Sequence, residues 1–225
     1  MNDDFERELY PSLYEPRMPD GDPESLGGLL AAVERSTLEK CAEVMGLRVE
    51  LADEYGELLV DAASAMAARF DRGGKLIAFG NGGSATDADA AASDCLMPPF
   101  AGWRALPALS LAGNASTITG VANDVGYEEV FLRQIIALGE PDDIALGIST
   151  SGNSPNLAIA LAESRRRGLL TIALAGYDGG ALARNRNADF CFVARREFVP
   201  RIQEGHATLW HVLLELVQER LRARS

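Results

Sequence analysis

Between Leu26 and Phe70 apolar residues recur at spacings near three and four. Leu29, Leu30, Val33, Leu38, Cys41, Met45 and Leu47 come first, then Leu51, Leu58, Leu59, Ala62, Met66 and Phe70, interleaved with Glu, Arg and Lys. That spacing lines one face of a helix, and its two runs read as a pair of helices stopped by Asp71-Arg72-Gly73-Gly74. Their stripes need a partner, either the domain that follows or the same helices of another subunit. After Gly74 the pattern changes to short apolar runs: Lys75–Phe79, Ala105–Leu111, Asp143–Ile148, Leu169–Ala175 and Phe190–Ala194. Each has the length of a buried strand, and helical stretches separate most of them. The alternation predicts an α/β fold, a mostly parallel five-stranded sheet with helices on both faces and right-handed crossovers. A last helix, about Gln203 to Arg222, carries Leu209, Val212, Leu213, Leu216 and Val217.

Ahead of these elements, Pro11, Pro16, Pro19 and Pro23 stand among acids and tyrosines. Residues 1–25 therefore read as an extended arm, and residues 26–225 as one domain that includes the helical pair. With 225 residues, 47% hydrophobic and 24% charged, the chain is neither disordered nor collagen-like. It has no apolar run of the ~18 residues a bilayer span needs, and the start MNDDFERELY is too acidic for a signal peptide, so a cytoplasmic protein is expected. Cys41, Cys95 and Cys191 are odd in number, far apart and without a CxxC, which excludes a disulfide framework and a zinc ribbon. A net charge of −12 argues against broad binding to nucleic acid or to an acidic membrane. Only His206 and His211 are available to any histidine chemistry.

In an open parallel sheet a ligand sits beyond the carboxyl ends of the strands. Two loops there are built alike: Gly80-Asn-Gly-Gly-Ser-Ala-Thr-Asp87 and Ser149-Thr-Ser-Gly-Asn-Ser154. Both offer glycines for close backbone approach, hydroxyls for an anion, and then a helix start whose free N–H groups favour a phosphate. Neither is GxGxxG or GxxxxGK[ST], and no Lys follows the glycines, so a nucleotide triphosphatase is disfavoured. A sugar phosphate fits better, since amides and hydroxyls hold a monophosphate without Mg²⁺.

The segments Phe79-Gly-Asn-Gly-Gly-Ser84, Val121-Ala-Asn-Asp-Val-Gly-Tyr127 with Val130-Phe-Leu-Arg-Gln134, Gly147-Ile-Ser-Thr-Ser-Gly-Asn-Ser154, Gly176-Tyr-Asp-Gly-Gly180 and Arg201-Ile-Gln-Glu204 resemble, in this order, the SIS (sugar isomerase) domain. They are most similar to its phosphoheptose isomerase branch, over about residues 30 to 220. The resemblance implies a doubly wound SIS-type sheet and a sugar phosphate held by Asn81, Gly82, Gly83, Ser84, Ser149, Thr150, Ser151 and Ser154, with Asn123, Asp124 and Gln203 beside it. It implies interconversion of a ketose and an aldose phosphate through an enediol, sedoheptulose 7-phosphate being the usual substrate. Such chemistry needs a base, an acid and a polarised carbonyl; the resemblance places the acid–base roles on Asp94 and His211. It also implies a homotetramer built on the N-terminal helices, and a zinc ion held by a His and a Glu four apart on the first loop's helix, with a Gln and the last His.

This chain departs from that set. The Glu is Asp94, one methylene shorter, and the His before it is Ala90, which binds no metal. Met97-Pro98-Pro99 occupies the stretch where a basic residue is common, and Pro200 stands before Arg201. No cofactor is therefore assigned; a zinc ion on Asp94, Gln203 and His211 stays open. Three accounts stand: metal-free catalysis by Asp94 and His211, a metal site rebuilt with Asp87 or His206, or sugar-phosphate recognition without catalysis, as in a regulatory or assembly factor. The retained Asp94 and His211 favour the enzyme, and Ala90 favours the binding protein. Asp87 reads as a helix cap before it reads as a ligand, His206 as a surface or interface histidine, and Cys95 as a small packing residue. Arg165-Arg166-Arg167 reads as a solvated helix end before Gly168. No helix-turn-helix precedes the domain, so a direct nucleic-acid partner is not expected.

Overall fold

The computed structural model describes residues 26–186 and 188–223, and the Pro-rich arm at 1–25 lies outside them. The chain divides into two compact units, residues 1–45 and 46–225. In place of two helices, a single helix α1 runs over Leu26–Asp71. No proline interrupts it, and an interior glycine such as Gly46 or Gly56 costs only about 1 kcal/mol against alanine, too little to break a helix supported on both sides. Of the first unit, residues 26–45 are helical and largely exposed, with Leu26, Leu29, Leu30, Val33 and Leu38 all open to solvent.

In the second unit α1 turns its apolar face inward through Leu47, Leu51, Leu59, Met66 and Phe70. There follow β1 (Leu76–Gly80), α2 (Gly83–Leu96), β2 (Ala108–Ser110), α3 (Ala115–Asp124), a 3₁₀ turn (Tyr127–Glu129), α4 (Leu132–Leu138) and β3 (Ile144–Ser149). Then come α5 (Pro155–Arg166), β4 (Leu170–Gly176), α6 (Gly180–Arg184), β5 (Phe190–Ala194) and α7 (Val199–Arg222). Strand β2 is shorter than its apolar run because Pro107 has no N–H for a ladder; only its carbonyl pairs, accepting from Leu76 N at 2.9 Å. Helix α7 starts earlier than the periodicity suggests, since Pro200 sits in its first turn, where a missing N–H costs nothing.

The strands pair in the order β2-β1-β3-β4-β5, every pair parallel. Alternation along each strand feeds two cores. Leu76, Ala78, Ile144, Leu146, Ile148, Ile172, Leu174 and Phe192 face α1, α2 and α7. Ile77, Phe79, Ala145 and Ala173 face the opposite core with Phe131, Ile135, Leu157 and Leu161. At the amino ends, buried Asp143 accepts from the backbone N of Lys75 (2.9 Å) and of Glu140 (2.8 Å) and from Lys75 Nζ (2.5 Å), tying β1 to the entry of β3.

The chain leaves β1 toward β2 on one side and later returns to β3 on the other. The strand order thus reverses between β1 and β3, and a crevice opens at their carboxyl ends, the usual ligand position in such sheets. Both glycine- and serine-rich loops leave the sheet there.

Candidate active site

The first loop joins β1 to α2. Its Gly82 (φ 56°) precedes the helix and supplies no side-chain cap; Ser84 N and Ala85 N donate instead to the carbonyls of Asn81 and Gly82 at 3.0 Å each. Gly83 lies so close to Gln203 that an added Cβ would stand 2.6 Å from its Nε2, which sets α7 directly over the loop. Asn81 is fixed from two sides. It exchanges amide hydrogen bonds with buried Asn156 of α5 (3.0 Å each way) and accepts from the Tyr127 hydroxyl at 2.9 Å. This amide pair binds the first loop to the second.

The second loop joins β3 to α5. Ser149 is buried; its Oγ accepts from Gly152 N at 3.1 Å and lies 3.0 Å from the Ser154 hydroxyl. Ser154 is the N-cap of α5 but forms no capping bond; Pro155 brings no N–H to the first turn, and Leu157 N donates to Asn156 Oδ1 at 3.0 Å. Gly152 has φ +63°, and a Cβ there would strike the Gly179 carbonyl. The start of α6, directly after the fourth matching segment, braces the loop: Asn153 Oδ1 accepts from Ala181 N at 2.9 Å, and Gly152 O from Leu182 N at 2.9 Å. Ser84 is buried in the first turn of α2. Asn123 and Asp124 end α3, exposed and bonded to each other at 2.8 Å; Tyr127, three residues on, links that segment to Asn81.

Helices α2 and α7 carry the acid–base candidates. Asp94 Oδ2 lies 3.8 Å from His211 Nε2 and accepts from the indole N–H of buried Trp210 at 3.0 Å. The Trp210 bond holds the shorter Asp94 carboxylate facing the histidine, whose side chain is 68% exposed and free to meet a substrate. Gln203 Nε2 donates to Asp87 Oδ2 at 3.1 Å. Asp87 is not a helix cap, because it lies inside α2 rather than at its end; burial raises its pKa, and the Gln203 bond lowers it in part. His206 is not a surface residue either: it is 1% exposed, with its Nε2 2.9 Å from the Ala175 carbonyl. Burial pushes its pKa down to about 4, the Ala175 bond opposing. Cys95 is buried as expected and its thiol is pushed up to about 12, first by burial and then by Asp94, so it is no nucleophile.

The donors present do not fit the zinc ion that the resemblance implies. Ala90 presents a methyl group where a ligand is needed, Asp94 already accepts from Trp210, and Gln203 is turned to Asp87. Among the described residues no three His, Cys, Asp or Glu side chains converge as a metal site. Sequence reasoning missed Asn156, Tyr127 and the tie from Trp210 to Asp94, since each acts on a partner 46 to 116 residues away. The amide at Asn156, directly after Ser154-Pro155, was the one local signal, a polar residue on the buried side of a helix start.

A family model described as the SIS domain matches residues 41–176. The phosphoheptose isomerase of Pelobacter propionicus is 42% identical over 173 residues, covering 77% of this chain and 90% of that protein. That of Aquifex aeolicus is 40% identical over 191 residues, covering 85% and 97%. Among solved structures, a phosphoheptose isomerase from Neisseria gonorrhoeae matches with a TM-score of 0.75 and 32% identity, covering 83% of this chain and 99% of that one. One from Francisella tularensis matches with a TM-score of 0.74 and 31% identity, covering 84% and 98%.

Proposed function

Because the chain belongs to the SIS-domain family, in its phosphoheptose isomerase branch, we propose that it interconverts sedoheptulose 7-phosphate and the aldose glycero-manno-heptose 7-phosphate. The observation that carries the reading is the Asp94–His211 pair, 3.8 Å apart on α2 and α7. The phosphate rests on the amides of Asn81, Gly82 and Gly83 and on the hydroxyls of Ser149, Thr150, Ser151 and Ser154, with the sugar toward Asn123, Asp124 and Gln203. Asp94 removes the proton from C1 of the ketose as base. His211 supplies a proton to the C2 oxygen as the enediol forms; Asp94 then delivers its proton to C2 while His211 takes the proton of the C1 hydroxyl, and C1 becomes the aldehyde. Backbone amides polarise the carbonyl. Each positioned acid or base contributes about 10²- to 10⁴-fold.

Purified protein given sedoheptulose 7-phosphate, with and without added Zn²⁺, is followed for aldose formation by NMR. Turnover is expected in both, falling at least about 100-fold in Asp94→Asn and in His211→Gln; full activity in either variant refutes its role. Ala90 supports a second reading, sugar-phosphate binding without catalysis. Binding with no turnover, with or without Zn²⁺, would decide for it.

Assembly as a homotetramer through the N-terminal helix belongs to the same proposal. It is supported by the exposed Leu26, Leu29, Leu30, Val33 and Leu38, and a monomer in light scattering would overturn it. Residence in the cytoplasm is proposed as well, to be checked by cell fractionation; among the described residues no helix is long and apolar enough to cross a membrane.

A further inference from the structure

A cavity of about 40 Å³ lies between α2 and α7, lined by Asp87, Ala90, Ile148, His206, Ala207, Trp210 and His211. It shares His211 and Trp210 with the acid–base pair. Its volume admits a water or a hydroxyl group and excludes a whole sugar. Ala90, Ala207 and His211 are exposed, while Ile148 and His206 are buried. Ala90, the small residue at the mouth, is what leaves the space open.

His206 makes this cavity chemically specific. Its Nε2 lies against the Ala175 carbonyl, which only accepts, so Nε2 carries the proton of the neutral ring. Nδ1 is then a bare lone pair, and it is buried without a hydrogen-bond partner. Buried acceptors are nearly always paired, so an orphan on a side chain that lines a cavity points to a donor arriving from outside the chain. Asp87, the other polar group away from the catalytic pair, already accepts from Gln203.

We infer that His206 is a specificity-determining residue: its Nδ1 accepts a hydrogen bond from a hydroxyl of the sugar phosphate that enters the cavity beside Ala90. This rests on the sugar-phosphate reading of the site and adds to it a group that reads the sugar rather than the phosphate. The chain thereby distinguishes a hydroxylated ligand from inorganic phosphate.

The test measures calorimetric binding of sedoheptulose 7-phosphate and of inorganic phosphate to the full chain and three variants. Gln at 206 keeps an amide N–H near Nε2 for Ala175 and removes the Nδ1 acceptor. Asn at 206 keeps an acceptor near Nδ1. Val at the exposed position 90 narrows the cavity without disturbing the core. His206→Gln and Ala90→Val are expected to weaken the sugar phosphate about tenfold, the loss of one hydrogen bond, and to leave inorganic phosphate within about twofold. His206→Asn retains most of the sugar affinity. Equal losses for both ligands, or no loss in His206→Gln and Ala90→Val, overturn the inference. So does stoichiometric Zn²⁺ binding that disappears in His206→Gln, for Nδ1 would then be a metal ligand. Wild-type turnover is scored separately: a selective sugar loss without turnover keeps the inference and removes the isomerase reading, whereas turnover with an indifferent His206→Gln does the reverse.

Discussion

Acidification should unfold this protein through His206 more than through any exposed group. The imidazole is 1% exposed, and burial depresses its pKa from 6.5 to about 4. The unfolded chain therefore binds a proton between those values that the folded one refuses, so stability rises with pH across the window. The contribution is complete above pH 6.5 and is lost as pH falls toward the folded value. Linkage over a gap of this size amounts to about 2 kcal/mol by pH 5 and about 3 kcal/mol by pH 4. Asp87 and His211 line the same cavity and Asp94 lies beside it, so all three must be held constant. Comparing wild type with His206→Gln does so, because the variant keeps these carboxylates and His211 and removes one titrating group. Urea unfolding at pH 7, 6, 5 and 4 should show wild type losing about 2 kcal/mol more than the variant by pH 5. Parallel curves for the two proteins would refute the buried, neutral imidazole.

Other expectations follow from single contacts. Asn156→Ala leaves Asn81 without its amide partner; it should cost about 1–3 kcal/mol in thermal unfolding and weaken sugar-phosphate binding at least about tenfold. Gly152→Ala forces a left-handed residue against the Gly179 carbonyl, and phosphate binding should be lost together with about 2 kcal/mol of stability or more. Asp143→Ala strips three hydrogen bonds from the entries of β1 and β3 and should cost about 3 kcal/mol in urea titration, with a phosphate affinity unchanged because the site lies at the other end of the strands.

The strands were legible because a parallel sheet is covered on both faces, so its members are continuous apolar runs that local sequence displays. Lys75–Phe79 and Leu169–Ala175 each differ from the observed strands by a single residue at either end, and Phe190–Ala194 does not differ at all. The positions of the two glycine- and hydroxyl-rich loops were legible for a similar reason: such residues directly after an apolar run mark a strand end locally. The reading of α1 as two helices failed because a change of stripe along a helix looks, in sequence, like a break.

What the sequence determined by itself is the α/β class, the position of both loops, the family resemblance and the replacement of a metal-binding histidine by Ala90. Each depends on residue types at short spacing. Tertiary structure decided the rest. It turned Gln203 to Asp87 and held Asp94 toward His211 with the Trp210 indole, contacts between residues 116 apart in the chain. It also buried His206 with a bare Nδ1, where the sequence suggested a surface residue. A side chain's burial and its unpaired atoms are set by elements brought together only on folding, and no local pattern encodes them.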